Sequence, residues 1–365
     1  MANFPKENNF DLIRLVAATQ VVIVHAQEHF GLRFPQHDLV MRLIESLPGV
    51  PVFFVVSGFL ISASYLRNPV IGTFARNRIL RIYPGLWACL AVSAVLVLLS
   101  GYLAGRDVAP LEYAAWLTAQ STFFQFYNPD FLRGYGVGSL NGSLWTIPVE
   151  LQFYALTPLL VACLFRHRFA FWALFMTSIA INAVHGQGFD MLLLGDRAHK
   201  LVAVSFLPWI YMFLAGLLAS VYWSRVSQLF VGKAVYWFTA FFFVTAIGLF
   251  ADIGNHGNRI ALPWALLIAG TTLSAAFAHP HLAKRFLRGN DISYGLYIFH
   301  MPIFNYVIAI GLAGSGVVVF GALAAVPLAA CLSWKLIEAP ALRRKPSSLA
   351  SQVPPLDSSR SNPVA

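Results

Sequence analysis

Uninterrupted apolar stretches of about 20 residues recur along this 365-residue chain, the length that crosses a hydrocarbon core of about 30 Å. Backbone polar groups find no water in such a core, so only helices and closed barrels span it. Barrel strands alternate polar and apolar residues, and these stretches do not. With 58% apolar and 11% charged residues, composition overrides the two or three soluble domains that length alone would allow. The expected fold is all-α, a polytopic integral membrane helix bundle.

Ten spans are expected, at about 10–30, 47–66, 82–104, 143–165, 169–185, 204–223, 234–251, 260–278, 291–311 and 315–336. An even count puts both termini on one side. Of the 25 Lys and Arg, seventeen fall on that side and seven on the other, with Arg14 inside the membrane; this bias makes both termini cytoplasmic. The net charge of +10 reflects that asymmetry and an anionic ligand rather than nucleic acid. Residues 1–345 form one transmembrane domain, and 346–365, too polar to build a core, are expected to be a disordered cytoplasmic tail. The first span carries Arg14, lacks a strongly basic flank and is read as a retained anchor rather than a cleaved signal. Cys89, Cys163 and Cys331 sit at unrelated positions in apolar spans and are read as packing residues.

Ionisable residues inside spans are costly and usually functional. Arg14 and His25 lie eleven positions apart in FDLIRLVAATQVVIVHAQEHF, which places them on one helix face roughly 16 Å apart. Asp11, three residues before Arg14, could simply neutralise it. Glu150, in GSLWTIPVELQFY, is expected at the depth of His25, where it could hydrogen-bond and orient the imidazole; the two could equally occupy separate polar pockets. Trp145 and Tyr154 of the same motif are candidate substrate contacts. Arg76, Arg78 and Arg81 in FARNRILRIYP form a basic cluster, readable as topology anchor or phosphate site. His300, followed by Pro302, falls near the bilayer midplane as a substrate contact or an interhelical hydrogen-bonding residue.

The long connection over about 105–142 carries Trp116, Phe123, Phe124, Phe126, Tyr127 and Tyr135. These could line the membrane interface or stack on a sugar. Asn141-Gly-Ser143 matches a glycosylation sequon of low specificity. His25-x-x-Glu28-His29 fits the inverted zinc-protease pattern, but with no obvious third-ligand segment no metal site is assigned.

Taken in order, FDLIRLVAA with His25, PGVPVFFVVSGFLIS (48–62), RNRILRIYP (76–84), GSLWTIPVELQFY (142–154), ISYGLYIFH (292–300) and WKLIEAP (334–340) resemble the membrane-bound acyltransferase family 3, up to about Arg343. The resemblance implies an O-acyltransferase that uses acyl-coenzyme A, most often acetyl-CoA, as a cytoplasmic donor substrate, with no permanently bound cofactor. It maps an R-x10-H pair to Arg14 and His25 and an R-x-x-R pair to Arg78 and Arg81. By implication the arginines hold CoA phosphates, His25 is the general base, and Glu150 orients it. The implied partners are a carbohydrate or glycolipid acceptor and the bilayer, in a bacterial inner membrane. The competing class is a transporter or flippase, whose sign would be interrupted helices in two similar halves; no internal symmetry of that kind is found.

Overall fold

The computed structural model describes residues 4–5, 7–32, 37–186, 192, 195–251, 258 and 260–345; the expected tail over 346–365 lies outside them. Among the described residues there is no strand. The helices are α1 (Phe10–Phe30), α2 (His37–Ser46), α3 (Gly49–Arg67), α4 (Ile71–Leu99), α5 (Pro110–Ser121), α6 (Thr146–Arg166), α7 (Arg168–Gly186), α8 (Asp196–Ala203), α9 (Ile210–Val221), α10 (Trp223–Val226), α11 (Ala234–Ala251), α12 (Leu262–Ala276), α13 (Leu282–Leu287), α14 (Ser293–Ala309), α15 (Gly316–Ser333) and α16 (Ala339–Arg343).

Five helical stretches among the described residues are long and apolar enough to cross a membrane: Phe10–Phe30, Asp38–Arg67, Ile71–Leu99, Gly142–Arg166 and Gly316–Arg343. A sixth arises if α9 and the segment after it, bent by 84°, count as one span. Apolar side chains such as Trp87, Val95 and Leu99 on α4, Phe243 and Ile247 on α11, and Val317 and Phe320 on α15 point outward. An apolar exterior of that extent suits lipid rather than water.

The centre of the bundle is α3, buried along almost its whole length. Its closest partner is α9, and glycine makes that approach possible. A Cβ on Gly58 would lie 2.0 Å from the Phe213 carbonyl oxygen, and one on Gly216 would lie 2.1 Å from that of Val55. Small residues at facing positions let membrane helices pack backbone to backbone. The SGFL motif is thus, in part, a packing motif.

The start of α1 is stitched to the far end of the chain. Asn9 donates its backbone N–H to the Ala276 carbonyl (2.8 Å), and its Oδ1 accepts the Ala283 N–H (2.9 Å). This holds the start of α1 against the end of α12 and against α13; α1 and α14 run parallel, because they are cross-linked in the same order at two levels described below. The 105–142 connection is not an open loop. It folds into α5 and a 3₁₀ turn at Asp130–Leu132 around a small core of Val97, Trp116, Leu132, Tyr135 and Leu140. Trp116 and Tyr135 are therefore interior packing residues, since this segment needs a core of its own; Phe123, Phe124 and Tyr127 remain exposed.

Candidate active site

The first cross-link lies at the N-terminal ends of α1 and α14. Arg14 Nη1 donates to Asp291 Oδ2 at 2.6 Å, and Arg81 Nη2 from α4 donates to the same oxygen at 2.5 Å. The other oxygen, Oδ1, accepts from the Ser293 hydroxyl at 2.5 Å and its N–H at 3.3 Å. One carboxylate thus ties two guanidiniums to the first turn of α14. Asp11 is the more distant partner of Arg14, at 3.9 Å. Arg78 joins the cluster differently, with its guanidinium over the rings of Phe74 and Tyr154, 5.7 Å from each centroid. Its Nε is buried without a hydrogen-bond partner. Arg76 stands apart, exposed, reaching the Arg344 carbonyl at 3.4 Å.

Lys345 approaches this cluster from the end of the described chain. Partial removal of its hydration by the surrounding protein, then repulsion from Arg78, Arg81 and Arg14, push its ammonium down to about 8.

The second cross-link lies about three turns further along α1. His25 Nδ1 sits 2.8 Å from His300 Nε2, with the rings stacked at 5.1 Å between centroids. His300 is fully buried. The expected contact between His25 and Glu150 is not made. The Glu150 Oε1 accepts from Ser57 of α3 at 3.1 Å and from Tyr154, one turn along α6. The reason is lateral: α6 packs chiefly on α3 and α7, whereas α1 packs on α14 and α3. The depth expected to be shared with His25 fails as well, because Glu150 lines the same cavity as Arg14. Through Tyr154, whose ring lies under Arg78, Glu150 belongs to the arginine end of the site.

A narrow cavity of about 40 Å³, lined by Arg14, Phe53, Ser57, Glu150, Tyr294 and Tyr297 among others, leads inward from that end. It has room for little more than a water or two at rest. Tyr297 closes its far side, with its hydroxyl 2.9 Å from Thr146 Oγ1 and donating to the Ser143 carbonyl at 3.0 Å. Trp145 packs against Trp209, centroids 5.1 Å apart.

Pro302 does not break α14, which runs through it from Ser293 to Ala309. A proline in a helix leaves the carbonyl four residues earlier without its usual donor. That carbonyl belongs to Ile298, and it accepts instead from Asn141 Nδ2 at 2.9 Å and Cys89 Sγ at 3.1 Å. Buried Asn305 holds the same 137–141 segment, accepting from the Val137 N–H and donating to the Ser139 and Leu140 carbonyls. Gly136, at φ +56°, allows this, since a Cβ there would fall 2.0 Å from the Asn305 Oδ1. The 137–141 segment is therefore fastened to α14 on both sides of His300. The sequon residue Asn141 spends its amide on this fastening.

Asp291, Ser57 and Asn305 were not singled out from the sequence, and Asn141 was noted only as part of a sequon. Asp291 had a legible sign, an isolated carboxylate immediately before an apolar run on the basic side. Among the described residues, no group of three or more His, Cys, Asp or Glu side chains is placed to hold a metal ion, the His25, Glu28 and His29 motif included. All three cysteines are free.

Residues 7–334 match the family model described as an acyltransferase domain. The chain is 35% identical to nodulation protein 10 of Rhizobium leguminosarum bv. viciae, over 95% of this chain and 96% of that protein. It is 27% identical to an O-acetyl transferase of Shigella phage Sf6, over 94% and 99% of the two chains. It is also 29% identical to the exopolysaccharide production protein ExoZ of Rhizobium meliloti (strain 1021), over 81% and 89%. No solved structure matches it.

Proposed function

The chain belongs to the acyltransferase family 3, and from that premise we propose that it is an O-acyltransferase, most simply an O-acetyltransferase. It moves an acyl group from cytoplasmic acyl-CoA to a hydroxyl of a cell-surface carbohydrate or glycolipid. In this reading the helices make ten spans of a bacterial inner membrane with both termini cytoplasmic. The names of the phage and exopolysaccharide relatives support the acyl group and the saccharide acceptor.

The observation that carries the reading is the two-level tie between α1 and α14. Cations gather at one level, around Arg14, Arg78 and Arg81, and two imidazoles meet at the other, roughly 16 Å away along α1. Guanidiniums in forked geometry suit the phosphates of CoA. The acyl end of the pantetheine arm would then advance past Ser57, Glu150 and Tyr297 toward His25, moving aromatic side chains that close the cavity at rest. His25 acts as general base on the acceptor hydroxyl, whose oxygen attacks the thioester carbonyl; the acyl–sulfur bond breaks and CoA leaves as the thiol. For His25 Nε2 to accept that proton, the proton shared between the rings must sit on His25 Nδ1, with His300 Nε2 accepting it. His300 thus takes the orienting role expected of Glu150. Glu150 is better suited to hold Tyr154 against Arg78.

A transporter or flippase is the weaker reading. The helix interruption expected at His300 and Pro302 is filled by Asn141 and Cys89. The test compares surface polysaccharide and lipid masses in cells with and without the gene. An acyl-sized mass difference is expected; identical masses, with substrate moved without acyl-CoA, would favour transport.

A further inference from the structure

A second cavity, which shares Cys89 and Asn141 with the fastening at Ile298, opens between α4, α5 and the 122–145 segment. It encloses about 140 Å³. Ser93, one of its lining residues, lies twelve positions beyond Arg81 on α4, hence roughly 18 Å from the arginine level. Four side-chain amides line it, from Gln120, Gln125, Asn128 and Asn141, together with Tyr127 and Trp145.

All four amides are committed through their N–H groups, that of Gln125 to the Thr122 and Gln120 carbonyls. Gln120 donates to the Gln125 and Tyr127 carbonyls, Asn128 to the Gly138 carbonyl, and Asn141 to the Ile298 carbonyl. Gln125 is only 3% exposed, and its Oε1 is buried with no hydrogen-bond partner. A buried acceptor without a donor is costly, so this oxygen calls for an O–H or N–H from a ligand. Tyr127, 40% exposed, offers a ring face at the mouth. Among the described residues, no charged side chain lines the cavity.

We propose that this cavity binds one uncharged pyranose ring of the acceptor, through an O–H donated to Gln125 Oε1 and packing of the ring on Tyr127. The proposal rests on the acyl-transfer reading for the ring's role as acceptor, though not for its binding. The chemistry selects the class. A polyol supplies donors at the spacing of amide oxygens, and an aromatic face covers its C–H side. A uronic acid or sugar phosphate would bring a charge that nothing here neutralises. The cavity is smaller than the roughly 300–1,000 Å³ of drug-sized sites, so it takes one ring and leaves the remainder of a chain outside. Its wall is the segment fastened to α14 on either side of His300, which sets the bound ring beside the helix that holds His25.

Saturation-transfer NMR of the full chain in lipid nanodiscs tests this, with methyl β-D-glucopyranoside and glucuronic acid as probes. The neutral glycoside should receive saturation and the acid should not. Gln125→Met and Tyr127→Ala should each weaken the glycoside about tenfold. Tyr127 is exposed, so its variant keeps the test valid if Gln125→Met fails to fold. Equal signals from both probes, no signal from the glycoside, or unchanged binding in Tyr127→Ala would overturn the proposal. Acyl transfer from acetyl-CoA to de-O-acetylated surface glycan is measured on the same samples. Variant-sensitive binding without transfer upholds the site and removes the acyl-transfer reading; transfer by a protein whose variants bind like wild type does the reverse.

Discussion

His25 Nδ1 lies 2.8 Å from His300 Nε2, so the imidazole on the first helix is held by an imidazole 275 positions away in the chain. Only one proton fits between two nitrogens at that distance, and which ring carries it determines whether His25 can act as a base.

Substituting His25 by Ala should lower kcat by about 10²–10⁴-fold, the usual weight of a general base, with protein still in the membrane. Substituting His300 by Ala should cost about 10²-fold through misorientation of His25, leaving the KM for acetyl-CoA unchanged. Steady-state kinetics in nanodiscs separates the two roles. Wild-type turnover in His300→Ala would leave His300 as a packing residue.

The shared Asp291 makes a different prediction, about stability. Asp291→Ala strands two largely, but not fully, buried guanidiniums and should destabilise the protein by about 2–4 kcal/mol. The double variant Arg81→Met with Asp291→Leu should recover part of that loss, because Arg14 alone is then left without its carboxylate, with Asp11 3.9 Å away. Thermal unfolding in detergent measures both. A double variant less stable than Asp291→Ala would contradict the shared-carboxylate account.

The Lys345 ammonium, pushed down to about 8, should make donor affinity depend on pH. Below that value the group is charged and assists a phosphate; as pH rises through it, the charge and its contribution are lost. The KM for acetyl-CoA should therefore rise between about pH 7 and 9, and Lys345→Met should flatten that part of the profile. The same slope in the variant would assign the effect elsewhere.

Gly58 tests the packing of the centre. Gly58→Val, whose Cβ would meet the Phe213 carbonyl, should cost about 3 kcal/mol or more and reduce folded protein. Gly72→Ala, with open space around the added methyl, should be nearly neutral. Expression and melting temperature report both, and equal behaviour would show that α3 and α9 can separate cheaply.

Much of this architecture is legible in the chain because a membrane leaves few options. Apolar runs give helices, and helical spacing put Arg14 and His25 on one face at two levels. Lateral neighbours are another matter. Nothing in the sequence says that Glu150 turns to Ser57 and Tyr154 at the arginine end rather than to His25, and His300 and Asp291 reach α1 only through tertiary packing. Trp116 and Tyr135 read as surface aromatics because the 105–142 segment builds a core that no periodicity announces. Pro302 was readable as a weak point in its helix; the donors that fill the gap, Asn141 and Cys89, were not.

The most direct measurement uses sealed proteoliposomes with the arginine face inward, labelled acetyl-CoA inside and de-O-acetylated surface glycan outside. Label should appear on the external glycan while CoA stays inside, and His25→Ala should abolish it. Transfer that requires donor and acceptor on the same side, or undiminished labelling by His25→Ala, would contradict an acyl path from the arginine cluster to the histidine pair.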